Sequence, residues 1–164
     1  MLKLQPAIIG LAICIASLVP ALEAQQNSPS APKPEQILTA KKIFVSNAAE
    51  PCSSLFCSAP DQPYNDLYNG IKTLGRYDVV ATPADADLVF EINSVYYPTI
   101  QPLQLKLVIL DPKTRITLWT LEEQVDVAAR QSARARNFDK AMSSLMRDIQ
   151  RLTLPAAPPP NKGK

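Results

Sequence analysis

Two alternating apolar runs joined by a short turn constrain the fold of this chain more than any other feature. Between residues 103 and 109, leucine and isoleucine alternate with Gln104 and Lys106, which is the pattern of a strand covered on one face. Asp111 and Pro112 then occupy the first two positions of a turn that reverses the chain into residues 116–125. We predict an antiparallel hairpin, and hence a sheet, at the centre of the fold.

Three more strands and two helices are predicted before and after the hairpin. The strands are expected at residues 42–46, 77–81 and 88–97. A first helix runs from about Asp61 to a stop at Gly75, and a second begins at Asn137 and carries an apolar stripe to Leu152. The order β-α-β-β-β-β-α predicts a two-layer α+β fold, in which two helices cover one mostly antiparallel sheet of about five strands.

The first 24 residues have the three parts of a secretory signal. Lys3 gives a basic start, an apolar run extends from Ala7 to Leu22, and Ala24 precedes the expected cut. We therefore predict a signal peptide over residues 1–24 and a periplasmic or secreted mature chain. The alternative is an uncleaved N-terminal helix that anchors the protein in a membrane. Lipid attachment at Cys14 is disfavoured, because an apolar run continues past this cysteine.

Two proline-rich segments flank the patterned part of the chain. Residues 25–40 consist largely of Ser, Pro, Ala, Lys and Gln, and residues 154–164 are dominated by proline. Such compositions have little to bury and favour extended, solvated backbone. We predict a disordered linker at 25–40, an α/β domain at 41–153 and a disordered tail at 154–164.

Cys52 and Cys57 are the two cysteines that remain after the predicted cleavage. In an oxidising compartment, two thiols this close in a Ser-rich loop favour a local disulfide. A redox-active pair normally has two intervening residues, and a metal site would need further ligands. The sequence therefore predicts a structural disulfide and no metal or other cofactor.

Composition excludes several classes of active site. The chain has no histidine, so Ser-His-Asp and Cys-His catalytic sets and His-ligated zinc cannot form. A net charge of +2 is typical neither of a nucleic-acid binder nor of a strongly acidic protein. Turn chemistry explains Asp85 and Asp87, and a solvated strand end explains the acidic cluster that follows. The cluster comprises Glu122, Glu123 and Asp126. A hydrolase of envelope polymers with carboxylate or Ser-Lys chemistry is retained as an alternative.

Two further groups of side chains are candidates for binding. Arg130, Arg134 and Arg136 lie in a predicted loop that could contact anionic lipid or glycan, or could be a solvated surface. Tyr96 and Tyr97 lie before a proline at a strand end, where exposed tyrosines suit protein contacts and packed ones would serve the core. Membrane contact is compatible with the first group but is not required.

Three stretches of the sequence resemble known proteins. Residues 84–92 combine an alanine-aspartate turn with a strand, and residues 105–114 and 118–122 form a hairpin with the pattern D-x-x-T followed by LW. This combination resembles exported proteins of acidobacteria and, more distantly, the α/β modules of curli-secretion and TolB N-terminal-like envelope assembly proteins. The resemblance implies assembly rather than catalysis. We expect a non-catalytic envelope protein that binds another protein, or itself, through a sheet edge or the arginine-bearing loop.

Overall fold

Five strands form one open sheet in the computed structural model, which describes residues 31–48, 51–95 and 102–154. The strands are β1 (Lys42–Asn47), β2 (Asp78–Val79), β3 (Leu88–Val95), β4 (Leu103–Leu110) and β5 (Thr117–Val125). The helices are α1 (Glu35–Thr39), α2 (Gln62–Leu74) and α3 (Gln131–Thr153), with one 3-10 turn at Pro83–Asp85. The predicted α+β class, with its single five-stranded sheet, is confirmed.

The sheet is mixed, with spatial order β2-β1-β3-β4-β5. β3, β4 and β5 form an antiparallel meander, whereas β1 lies between β2 and β3 and pairs in parallel with both. α2 connects β1 to β2, as a parallel connection requires. The antiparallel pairings are the longer ones, and the two parallel pairings were not predicted.

The core lies between one face of the sheet and the helices α2 and α3, and this face is called the helix-covered face below. The strand register shows which side chains share this face: Val45 lies opposite Phe90, and Phe90 lies opposite Ile109. Paired residues point to the same side of a sheet. The helices contribute fully buried side chains to the same core, namely Leu67, Ile71, Phe138, Leu145 and Ile149.

The local sequence explains where α2 begins and ends and why it packs closely against α3. Pro63 lies in its first turn, where a missing N–H costs nothing, and Gly75 ends it in the left-handed conformation with φ of 65°. In mid-helix, a Cβ at Gly70 would lie 2.8 Å from the Met146 sulfur. The missing side chain therefore lets α2 and α3 pack closely.

The packed structure begins before residue 41. α1 falls inside the stretch predicted as linker; its Ile37 is completely buried, and Ala40, which caps its C-terminal end, is almost completely buried. Lys33 Nζ also donates to the carbonyl of Leu154 at 3.0 Å, which links this segment to the end of α3. Burial of one isoleucine outweighs the polar composition around it. The linker boundary at residue 40 was therefore placed too late.

The second long helix also begins earlier than predicted. α3 starts at Gln131 rather than Asn137, so the stretch predicted as an arginine-bearing loop is mostly the first turns of a helix. Among the described residues, no helix is both long and apolar enough to cross a bilayer. The predicted signal peptide, the predicted tail beyond Leu154, and Tyr96 and Tyr97 lie outside the described residues.

Candidate functional site

β5 is the outermost strand at one edge of the sheet. Eight of its nine residues pair with β4 on one side, and no strand of the described part of the chain pairs with its other side. The strand at the opposite edge, β2, has two residues. An edge strand presents a row of backbone N–H and C=O groups that a further strand can pair with. The longer of the two sheet edges is therefore the outer side of β5.

The side chains along β5 leave apolar surface at this edge. Trp119 lies opposite Ile109 and Leu121 opposite Leu107, so both belong to the helix-covered face. Trp119 and Leu121 pack against the core but remain partly exposed, because no neighbouring strand covers their outer sides. Thr120, between them on the opposite face, is exposed. The edge thus combines unpaired backbone with aromatic and aliphatic contact surface.

A bulge marks the beginning of β5. Thr117 pairs with Leu110 and Trp119 pairs with Ile109, so Leu118 is the extra residue. A bulge increases the local twist and ends regular pairing. The regular part of the edge therefore runs from Trp119 to the end of the strand.

The two glutamates of β5 point to different faces. Glu122 forms an ion pair of 3.0 Å with Lys106, its partner across the β4–β5 ladder. Glu123 lies opposite Leu105 on the helix-covered face, towards α3. The two glutamates of the predicted acidic cluster therefore point to different faces, although Glu122, Glu123 and Asp126 all line one open cleft at this strand end.

Glu123 meets a second carboxyl group from α3. Burial raises the pKa of Glu123 above its usual 4.5, a hydrogen bond with Asp148 and repulsion by that carboxylate raise it further, and Arg147 opposes them. A carboxyl group with a raised pKa beside an ionised one is a known acid–base arrangement. Here, however, the cleft of about 420 Å³ lined by Glu123 and Lys140 is open to solvent and Asp148 does not line it. This cleft therefore does not present both carboxyls to a substrate.

Asp87 has a structural role. Its Oδ2 accepts hydrogen bonds from the backbone N–H groups of Lys41 and Lys42, both at 2.9 Å, which hold the start of β1 beside the start of β3. These two hydrogen bonds lower the pKa of Asp87 below 3.8, and the bond from Lys42 has the larger effect. Asp85 Oδ2 accepts from the Thr82 hydroxyl at 2.8 Å. Both aspartates thus serve the turn and the strand entry.

The three arginines lie at the start of a helix rather than in a loop. Arg130 is the N-cap of α3, and the Arg134 side chain, one turn later, donates to the carbonyl of Ala129 at 3.1 Å. Arg136 lies two residues beyond Arg134 on the helix, which turns it by about 200° around the axis. Arg134 and Arg136 therefore lie on different sides of α3, whereas Arg130 and Arg134, about one turn apart, lie on the same side.

The predicted disulfide between Cys52 and Cys57 is present, with a Cα–Cα distance of 5.9 Å. The carbonyl of Ser53 accepts from the backbone N–H groups of Phe56 and Cys57, so the bridge closes a tight turn. In the described ranges, no group of three or more His, Cys, Asp or Glu side chains could hold a metal ion.

Comparison with known proteins gives fold likeness only. No protein-family model matches the chain. No curated protein sequence matches it either. Among solved structures, protein XCC0632 from Xanthomonas campestris, of family DUF330, is 11% identical, with 76% of this chain and 86% of that chain covered and a TM-score of 0.49.

Two other structures are similar at the same level. A PelC dodecamer from Paraburkholderia phytofirmans is 13% identical, covering 67% of this chain and 86% of that chain with a TM-score of 0.47. TolB from Acinetobacter baumannii is 15% identical, covering 64% of this chain and 29% of that chain with a TM-score of 0.35. The chain thus has remote structural similarity to PelC, DUF330 and TolB-like proteins. Similarity of fold at this distance does not transfer function.

Proposed function

We propose that the protein is an exported, non-catalytic module that binds another protein chain along the outer edge of β5. The observation that carries the proposal is the open edge itself: a nine-residue strand, paired on one side by the described residues, that carries the partly exposed Trp119 and Leu121. Strand addition at such an edge gains backbone hydrogen bonds, while side chains at alternate positions give specificity. Aromatic residues are enriched where protein surfaces meet.

The charges around β5 favour binding over hydrolysis. Glu122 is engaged by Lys106, and Glu123 is hydrogen-bonded with Asp148 beside an open cleft that Asp148 does not line. A hydrolytic carboxylate pair needs an apolar pocket around the acid and room for substrate between both groups. These carboxylates therefore serve as a polar rim at the end of the edge, which is where protein interfaces place their charges.

Photo-cross-linking in the producing cell tests the proposal. A benzoylphenylalanine residue replaces Thr120, which is exposed on β5, and in a matched control it replaces Ser143, which is exposed on α3. The proposal expects protein adducts at position 120 and few or none at position 143. Equal adduct yields at both positions, or no adducts together with turnover of an envelope polymer by the purified chain, would contradict it.

A further inference from the structure

We infer that β5 pairs with β5 of a second copy of this chain, antiparallel and with Thr120 of each copy facing the other. This inference rests on the proposed function, because it needs the outer edge of β5 to be a binding edge. The two strands would extend the sheet of one copy into that of the other around a two-fold axis. Such an axis uses the same surface twice, so β5 must be complementary to itself.

The first constraint on the pairing is the pleat of the strand. Trp119 and Leu121 lie on the helix-covered face, and Thr120 lies on the opposite face. Continuous pairing keeps these faces aligned, because a slip of one residue moves every side chain to the other side. A two-fold antiparallel pair of this kind must therefore be centred on a residue of β5 and not between two residues.

Each choice of central residue defines one register, and electrostatic repulsion excludes two of them. Pairing centred on Glu122 or on Glu123 would set two identical carboxylates directly opposite each other, which is destabilising. Pairing centred on Leu121 would place Glu123 opposite Trp119 of the second copy. Glu123 is already desolvated beside Asp148, so further cover would cost more. Pairing centred on Trp119 would run directly into the bulge at Leu118.

Pairing centred on Thr120 sets no two glutamates directly opposite each other, meets the bulge only two residues from its centre, and leaves Glu123 opposite the small Thr117 rather than Trp119. Trp119 then lies opposite Leu121 of the second copy, twice by symmetry, and covers the partly exposed apolar surface of both. Thr120 lies opposite Thr120, and Glu122, held by Lys106, lies opposite Leu118. Aromatic–aliphatic and Thr–Thr pairs are favourable across strands. The two Glu122 carboxylates would be offset by four residues, about 14 Å along the strand, which exceeds the screening length of about 8 Å at physiological salt.

Cysteine cross-linking of the purified full chain tests the register. Thr120→Cys is compared with Glu122→Cys and Gln124→Cys, three exposed positions of the same strand, under mild oxidation and with a short bismaleimide that tolerates imperfect disulfide geometry. Residues directly opposite each other have Cβ atoms about 5 Å apart, whereas positions 122 and 124 would be offset by about 14 and 27 Å. The inference expects the Thr120→Cys dimer to form at least tenfold faster than either other dimer. The unsubstituted chain controls for Cys14 and for the disulfide.

Outcomes of this experiment separate the two proposals. Equal cross-linking at all three positions, faster cross-linking at position 122 or 124, or a chain that sediments as a monomer at every concentration would overturn self-pairing. If the chain is monomeric but photo-cross-linking at Thr120 in cells captures a different protein, self-pairing is wrong and the edge function stands. If neither self-pairing nor capture at Thr120 occurs, both are wrong.

Discussion

Replacement of Asp87 by alanine should destabilise the fold by about 1–2 kcal/mol. The carboxylate accepts the backbone N–H groups of Lys41 and Lys42 at 2.9 Å each, at the entry to β1. Hydrogen bonds to a charged acceptor contribute about 1.5–3 kcal/mol when buried. This site is exposed, so water can replace part of the loss, and the comparable removal of a helix N-cap costs about 0.5–2 kcal/mol.

Two matched variants isolate the charge and the position. Asp87→Asn keeps one oxygen acceptor and should lose less than Asp87→Ala. Asp85→Ala, two residues away, loses one exposed contact with the Thr82 hydroxyl and should stay within about 0.5 kcal/mol of the unsubstituted chain.

Urea unfolding at pH 7 and near pH 3 measures these effects. The pKa of Asp87 is lowered from 3.8 in the folded state, so its charged form stabilises the fold above that pH. The contribution is lost as the pH falls through the folded pKa. The difference between the unsubstituted chain and Asp87→Asn should therefore shrink near pH 3. Equal stability of Asp87→Ala and Asp85→Ala at pH 7 would refute the reasoning.

Two further predictions concern α1 and the β5–α3 contact. Ile37→Ala should lower the free energy of unfolding by about 2–4 kcal/mol, because Ile37 is fully buried. Thr39→Ala, at an exposed position of the same helix, should change it little. Equal effects of the two substitutions in urea unfolding would mean that α1 is not part of the core. Glu123→Gln should stabilise the fold by up to about 1 kcal/mol at pH 7 and leave it unchanged near pH 4. Because burial and Asp148 raise the pKa of Glu123 above 4.5, ionisation weakens the fold as the pH rises through the folded value. A loss of stability at pH 7 on this substitution would contradict that sign.

The strands and long helices could be predicted because their patterns are local. The alternation of apolar and polar residues over 103–109 indicates a strand with one covered face, and Asp111 with Pro112 indicates a chain reversal. The β4–β5 hairpin can therefore be predicted from neighbouring residues alone. The parallel partners of β1 could not be found in this way. Periodicity indicates which face of a strand is buried, and it does not indicate which strand lies alongside.

The candidate site was only partly accessible to the same reasoning. Trp119 belongs to the second arm of the hairpin predicted from the sequence, and it is half-buried. That it lies on an edge strand depends on the spatial order of all five strands, which is non-local. α1 escaped prediction because five helical residues between prolines and a strand carry too few apolar positions for a period to be seen. The early start of α3 was missed because its first turns are polar and lack the apolar stripe.

The central claim is that the outer side of β5, which no strand of residues 31–48, 51–95 and 102–154 pairs with, is open to a partner. Residue-resolved amide hydrogen exchange, followed by NMR in dilute samples of the full chain, tests it directly. Amides of β5 that point away from β4 should exchange quickly and alternate with protected ones, whereas β4, paired on both sides, should be protected along its length. Uniform protection along β5 in a sample shown to be monomeric would contradict the claim, because another part of the chain would then cover the edge.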